Sequence, residues 1–511
     1  MRRAVWIAVC LLALVRPGWA DLRYAEATGP TSLNPFFVRD MPSLRAVELL
    51  YEGLVTPAEG GTVRPLLAES WTVAPDGLSV TFRLKRGVTW HDGRPFTSRD
   101  VVFTINAGRD RRTPTTLRGQ FEAFGSARAL DDRTVVVPFN RKVLNPLLHF
   151  DFKILPAHLF PEGFVGAEMA NRRAVGTGPY VFTQWAPSGE IRLAANRSYH
   201  RPGEPSIPGI TVSAVPDDNI RNELLRYGAV DLLPQVRPRD IPALEELTGV
   251  RLYPYSTLSY SFLGLNFRNP LLRDLRLRQA LARGLDREEM LKAHYGGRGI
   301  LISGPFPPAS WAYNFDVKPW SYDFKAAEGL LDEMGATDKD KDGVRSYKGS
   351  PLSFRLVSLA QSEAQKAVIL DVQQQLKNLG IRAEVKFLEP LAWKKAVFED
   401  HDFDLVLAEW TFDNNVNVYS LFHSTEAGTG RNNMGAYANP DVDRLLEQSR
   451  GAPTSEALRA TYGELHRLLR DDLPYVFLWS LQRYAAVSSR IDSVRLHPFY
   501  FFTHVGAWKE K

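Results

Sequence analysis

Cysteine is almost missing from this sequence. Of 511 residues only Cys10 is one, and it lies in an apolar segment near the amino end. No disulfide can form within the chain, and a chain without that segment has no thiol nucleophile and no thiolate metal ligand. The ten histidines are scattered, with no pair at metal-ligand helix spacing. Gly-x-Ser-x-Gly, His-Glu-x-x-His and Gly-x-x-x-x-Gly-Lys are also missing, which removes the usual marks of a serine hydrolase, a zinc protease and a phosphate loop. The net charge is modest, +5, with Arg2, Arg3 and Arg16 supplying three of the positive charges. Such a balance gives no reason to expect a nucleic-acid partner. Beyond residue 20 there is no run of 18 apolar residues, so no membrane-spanning helix is expected there.

What is present begins with an export signal. Met1-Arg-Arg leads into an apolar stretch from Val5 to Val15, followed by Gly18-Trp-Ala20. This is the charged, apolar and small-residue order of a cleaved secretory signal, with the mature chain expected to start at Asp21. The apolar stretch is too short for a membrane anchor, which needs roughly 17 residues or more. Val9 before Cys10 does not suit lipidation. A chain of this length exceeds one hydrophobic core, so two or three domains are expected, and 44% hydrophobic with 24% charged residues describes a globular protein.

The densest signal lies around Leu405-Val-Leu-Ala-Glu-Trp-Thr-Phe-Asp-Asn-Asn415. Phe403 to Ala408 reads as a buried strand, with Trp410 and Asp413 just beyond its end. Upstream come a strand (Leu352, Phe354, Leu356), a helix (Ser362 to Leu379), a strand (Ile381 to Phe387) and a short helix around Trp393. The order is βαβαβ, which implies a parallel sheet with a ligand position outside the carboxyl ends of its strands. Residues 209 to 256 repeat the order: strand Ile210 to Val215, helix Asp217 to Tyr227, strand Val230 to Leu233, helix Arg239 to Leu247, strand Val250 to Tyr255. Two α/β cores are therefore expected. Between residues 51 and 168 hairpin signals dominate, with Pro75-Asp-Gly77 as a tight turn and Thr97 with Asp100 as a capping box. Asp286 with Glu289 and Ser362 with Gln365 are further helix starts.

Several blocks resemble the bacterial extracellular solute-binding proteins of family 5. They are Pro65-Leu-Leu-Ala-Glu-Ser-Trp71, Phe82-Arg-Leu-Lys-Arg-Gly-Val88, Trp90-His-Asp-Gly-Arg-Pro-Phe-Thr97 with Asp100-Val-Val-Phe103, Val175-Gly-Thr-Gly-Pro-Tyr180, Tyr227-Gly-Ala-Val-Asp231 and Phe262-Leu-Gly-Leu-Asn266. Arg276-Leu-Arg-Gln-Ala-Leu281 and Asn433 with Tyr437 continue the match. The resemblance implies the two-lobed α/β periplasmic binding protein fold, with an extra subdomain inserted in the first lobe and two hinge crossings, near 262–266 and 480–484. Lobe I would comprise 21–50, 169–262 and 485–511, the inserted subdomain 51–168, and lobe II 265–480. It further implies a periplasmic, monomeric, cofactor-free receptor that hands di- or oligopeptides to an inner-membrane ABC permease. In peptide-binding members a Trp-x-x-Asp lines the cleft and its Asp takes the peptide ammonium, which carries over to Trp410 and Asp413. Phe412, Asn414, Tyr260 and Asn433 are expected in the same cleft, with Lys366 and Arg431 as candidate partners of the ligand carboxylate or else solvated charges.

This chain departs from many members at Val416 and Asn417, where they carry an acid and a proline. That leaves open a receptor for a non-peptide solute such as a metal chelate, an opine or an oligosaccharide. A secreted hydrolase is the remaining alternative, against which the missing nucleophile motifs weigh. Asp338-Lys-Asp-Lys-Asp-Gly343 opens like a calcium loop, but Gly349 stands where a bidentate Glu is needed, so a solvated turn is expected. Gly296-Gly-Arg-Gly299 reads as a loop after a helix.

Overall fold

A fourteen-residue strand, Tyr475–Ser488, runs through the middle of the molecule. At about 3.3 Å per residue it spans roughly 45 Å. The computed structural model describes residues 21–58, 62–143, 145–166, 174–359, 363–412, 416–452, 454–497 and 500–511. The long strand pairs antiparallel with Ser259–Leu265 along its first half and with Val250–Ser256 along its second. One twelve-stranded sheet extends from it in both directions. On one side follow Ser259–Leu265, Leu405–Thr411, Ser353–Leu359 and Arg382–Leu388, which form the second lobe. On the other follow Leu232–Leu233, Leu22–Glu26, Gly209–Ala214, Ile191–Ala195 and Tyr180–Trp185, which form the first.

In the second lobe Ser353–Leu359 lies parallel to both Arg382–Leu388 and Leu405–Thr411, as the βαβαβ order requires. The crossover helix Glu363–Asn378 buries Val368, Ile369, Val372 and Leu376, one face at helical spacing. Apolar clusters cover both faces of this sheet, one holding Leu356, Leu376 and Trp479, the other Phe262, Phe422 and Leu465. Cover on both sides explains why Leu405 to Ala408 is an unbroken buried run rather than an alternating one. The strand is longer than its apolar run: Glu409, Trp410 and Thr411 pair with Ser261, Tyr260 and Ser259. Trp410 therefore lies within the strand, not beyond it.

In the first lobe Leu22–Glu26 runs parallel to Gly209–Ala214 and Leu232–Leu233. Val250–Ser256, expected to continue that core, instead pairs antiparallel with the long strand. It is half of a two-stranded ribbon that joins the lobes. Its chain changes lobe at Thr257–Leu258, several residues before the expected crossing, because Phe262, Leu263 and Leu265 are already fully buried in the second lobe. Within the ribbon Ser480 Oγ donates to the Ser259 carbonyl at 2.7 Å.

Residues 51–168 contain a four-stranded antiparallel sheet ordered Ala68–Val73, Ser79–Leu84, Thr134–Pro138, Arg128–Asp131. The helix Ser98–Arg109 starts at the expected cap, where the Thr97 amide donates to Asp100 Oδ2 at 2.8 Å. Asp286 likewise caps Arg287–Tyr295 by accepting from the Glu289 amide; Ser362 lies outside the described residues. The subdomain has no separate core: Phe82, Phe124 and Phe150 share one cluster with Tyr24 and with Phe501, Phe502 and Trp508 of the carboxyl-terminal tail.

Where the subdomain's two connections meet the lobe, the Val175 to Tyr180 block has a visible purpose. A Cβ on Gly176 would lie 1.8 Å from the Leu50 carbonyl oxygen, and one on Gly178 2.7 Å from that of Leu49. Only glycine lets the returning chain press on that backbone. Its polar groups are met by His91, whose Nδ1 accepts from the Gly176 amide at 3.1 Å, and by Asn196, whose amide donates to the Gly178 carbonyl at 3.0 Å. Beside them the buried Glu52 carboxylate accepts from Tyr199 (2.9 Å), His200 (2.9 Å) and Thr177 (3.1 Å). Burial pushes its pKa up, but the bonds from His200 and Tyr199 outweigh burial and hold it below the ordinary value.

Candidate functional site

A cavity of about 600 Å³ opens where the two lobes and the subdomain meet. The subdomain brings Thr56 and Pro57 on the strand Val55–Ala58, and Arg64 on its hairpin partner Thr62–Pro65. Tyr253 and Pro254 come from the ribbon, and Arg495, Leu496, His497 and His504 from the tail. The second lobe closes it with Leu258, Trp311 and Val416. Trp311 is held by stacking on Tyr462, ring centres 5.5 Å apart. The lining mixes apolar faces such as Pro57, Tyr253, Trp311 and Leu496 with hydroxyl, imidazole and guanidinium groups, a combination suited to a small-ligand site.

The residues singled out from sequence fall into three groups. Asp413 and Asn414 lie outside the described residues; Val416, just after them, lines the cavity at a φ of 49°, an unusual conformation for a β-branched residue. Trp410, Phe412 and Tyr260 gather behind that wall. Trp410 is half-buried and stacks on Phe262 at 6.0 Å, and its indole donates to Tyr475 Oη at 3.4 Å. Phe412 stacks on Tyr260 at 5.6 Å, and its amide donates to the carbonyl of Leu258, itself a wall residue. Tyr260 is 1% exposed, so it supports the wall from beneath.

Asn433, Lys366 and Arg431 are engaged elsewhere. The buried Asn433 amide donates to the carbonyls of His423 and Tyr437 and accepts from the Tyr437 amide, so its hydrogen bonds close a turn. Lys366 pairs with Glu363 at 2.9 Å and Arg431 with Glu426 at 3.0 Å, both at the surface. Neither is among the described lining of the cavity. Surface pairs between near neighbours are the solvated alternative that the sequence left open.

Sequence reasoning missed Arg64, Trp311, Arg495 and His504. None stands in a periodic or motif-like setting, and the fold alone brings them together. Beneath the cleft a smaller cavity of about 50 Å³ is bordered by Glu48, Asp151, Lys153 and Arg201. Burial raises Glu48 to about 7, against the pull of Lys153, and burial likewise lowers Lys153. Glu48 accepts from the Phe502 amide at 2.7 Å through one oxygen and has no partner for the other.

Among the described residues no cluster of three or more His, Asp or Glu could hold a metal. In the calcium-like loop Asp338 accepts from the Gly343 amide and Asp342 from that of Val344, so these carboxylates close a turn. No helix among the described residues is long and apolar enough to cross a membrane.

Two α/β lobes joined by a ribbon, with a walled cavity between them, define a binding protein of the two-lobed periplasmic kind. The chain belongs to the bacterial extracellular solute-binding proteins of family 5, whose middle region matches residues 62–432. It is similar to the oligopeptide-binding protein AppA of Bacillus subtilis (strain 168), 27% identical over 501 residues that make up 96% of this chain and 91% of that protein. Protein XP55 of Streptomyces lividans is 30% identical over 457 residues, 87% of this chain and 81% of its own. The solved structure of Bacillus subtilis AppA in complex with a nonapeptide matches with a TM-score of 0.75 at 26% identity, covering 97% of this chain and all of that one.

Proposed function

We propose that this protein captures peptides between its lobes and delivers them to an inner-membrane ABC permease, acting as a monomeric receptor and catalysing no reaction. The observation that carries this is the cavity of about 600 Å³ at the junction of three parts of the chain, walled by Pro57, Tyr253, Trp311 and Leu496. Flat walls of this kind tolerate varied side chains, while main-chain groups of the lobes pair with the ligand backbone as in strand addition. The similarity to AppA, solved with a nonapeptide, points the same way. The chain is exported to the periplasm and cleaved after Ala20; the first strand of the lobe I core starts soon after, at Leu22. Lobe I is 21–50, 169–256 and 485–511, carrying 51–168 as its inserted subdomain, and lobe II is 258–480, since Leu258 and Phe262 pack with the second lobe. Closure bends the ribbon at Thr257–Leu258 and near Ser480.

Asp413 takes the peptide ammonium at the carboxyl end of Leu405–Thr411. Losing one partner of a desolvated ion pair typically costs about 3 to 5 kcal/mol, so Asp413→Asn weakens binding roughly a hundredfold or more. Calorimetry with the peptides that co-purify, in free and amino-acetylated forms, tests this. Wild type should bind the acetylated forms poorly, and Asp413→Asn should lose little more on acetylation. Affinities within about threefold throughout, less than 1 kcal/mol, would make Asp413 a turn residue.

A further inference from the structure

We propose that the second-lobe wall of the cleft is a subsite for one aromatic side chain of the ligand, built on Trp311 with Leu258 and Val416. This deepens the peptide reading and rests on it: a single position of the ligand is selected, while the others are held through the main chain. Three rings stack through this lobe, Phe306 on Tyr462 with ring centres 4.8 Å apart, and Tyr462 on Trp311 at 5.5 Å with planes 13° from parallel. Of the three only Trp311 is among the described lining of the cavity, so the stack ends there. Leu258 and Val416, also in the lining, belong to the same buried apolar cluster as Phe306 and Tyr462, and the half-buried Trp311 packs against it. The platform is thus anchored in the core of the second lobe, and packing fixes the orientation of its last ring.

An aromatic side chain entering here becomes the fourth ring, at the centre-to-centre spacing of about 4.5 to 7 Å that such pairs favour. Leu258 and Val416 add apolar contact, and a phenyl ring leaves water without giving up a hydrogen bond. A basic side chain gains no counter-charge, because the described lining holds Arg64 and Arg495 but no aspartate or glutamate. Val416 is also where this chain departs from the acid that many members carry, and it holds a φ of 49°, a region that asparagine enters more readily than a β-branched residue. Backbone strain of this kind persists where the surroundings over-determine it, and it clusters at ligand-binding positions. Val416 follows Asp413 by three residues, about 11 Å of chain at most, which puts the selected side chain near the peptide's amino end.

The test offers the purified protein a pool of short random peptides with free ends, and mass spectrometry sequences those retained after gel filtration. Phe, Tyr and Trp should be enriched over the supplied pool by roughly tenfold, equivalent to about 1.4 kcal/mol, at a single position near the amino end. Trp311→Ala should largely abolish that enrichment. Val416→Asn, which suits the left-handed backbone and so keeps the fold, should weaken the enrichment without lowering the melting temperature. Aromatic residues no more frequent than in the pool, or equally enriched at every position, overturn the subsite, and so does an enrichment that survives both variants. In each of those outcomes peptides are still retained and the peptide reading stands. Wild type that retains no peptide overturns both.

Discussion

Replacing Glu52 by alanine tests whether the stem of the inserted subdomain holds the cleft wall in place. Glu52 is 4% exposed and receives three side-chain hydrogen bonds, from Tyr199, His200 and Thr177. Alanine leaves those donors buried without a carboxylate. Hydrogen bonds to charged groups contribute about 1.5 to 3 kcal/mol each, but they share one site and do not add, so about 3 to 5 kcal/mol is the expected loss, as for other broken buried pairs. The subdomain and first lobe share one core, so the loss should appear in a single calorimetric transition. For a unit of that size it corresponds to a fall of roughly 10 °C. Glu52→Gln keeps the shape and should fall less. Because the folded pKa of Glu52 is depressed, the stability it lends is present above the ordinary glutamate value and is lost as pH falls through the folded one. The gap between wild type and Glu52→Gln should therefore narrow in acid. A melting point for Glu52→Ala within 2 °C of wild type, taken as roughly 1 kcal/mol or less, would show that the network is incidental to the stem.

Glu48 carries the opposite sign: with its pKa raised from 4.5 to about 7 by burial, its contribution is full below 4.5 and is lost as pH rises through 7, by about 3 kcal/mol at most. Urea unfolding should find Glu48→Gln gaining on wild type between pH 5 and pH 8; an equal difference at both pH values refutes this. His466, fully buried and pushed down to about 4, accepts from the Asn314 amide at 3.2 Å and so steadies the loop that carries Trp311. The stability of its neutral form is present above 6.5 and is lost as pH falls through 4, so melting temperature should drop faster in acid for wild type than for His466→Gln, and parallel curves from pH 7 to 4 would count against it.

The parallel cores could be read from the sequence because burial on both faces leaves an unbroken apolar run, as at Leu405 to Ala408, and because helices such as Glu363–Asn378 expose one apolar stripe. The inter-lobe ribbon was harder. Its long strand crosses from the buried Trp479 and Ser480 through Leu481, Gln482, Arg483 and Tyr484, none of them buried, before Ala485 returns to a core. Between two lobes a strand has no single inside face, so the alternation that marks strands fades where the hinge lies. Trp410 was set one step too far for a related reason: its strand is extended by Ser259–Ser261, a partner that local sequence does not specify.

The site divides along the same physical line. Aromatic residues next to a strand end were recognisable, yet an aromatic at a cleft and one beneath it share the same local sequence signal. Tyr260 and Phe412 turn out to stack on each other and back the wall rather than face the cavity. Arg64 and Arg495 gave no signal, since a lone arginine in a polar hairpin or tail is ordinarily a solvated charge. Their place in the lining comes from convergence on one cavity, a property of the fold and of no single segment. A receptor that closes has reason to gather contacts in this way. If the lobes close as proposed, groups drawn from the subdomain, the tail and the second lobe would press on a ligand together, and each such contact would favour the closed state over the open one. A ligand held by one lobe alone would bind both states equally and shift neither.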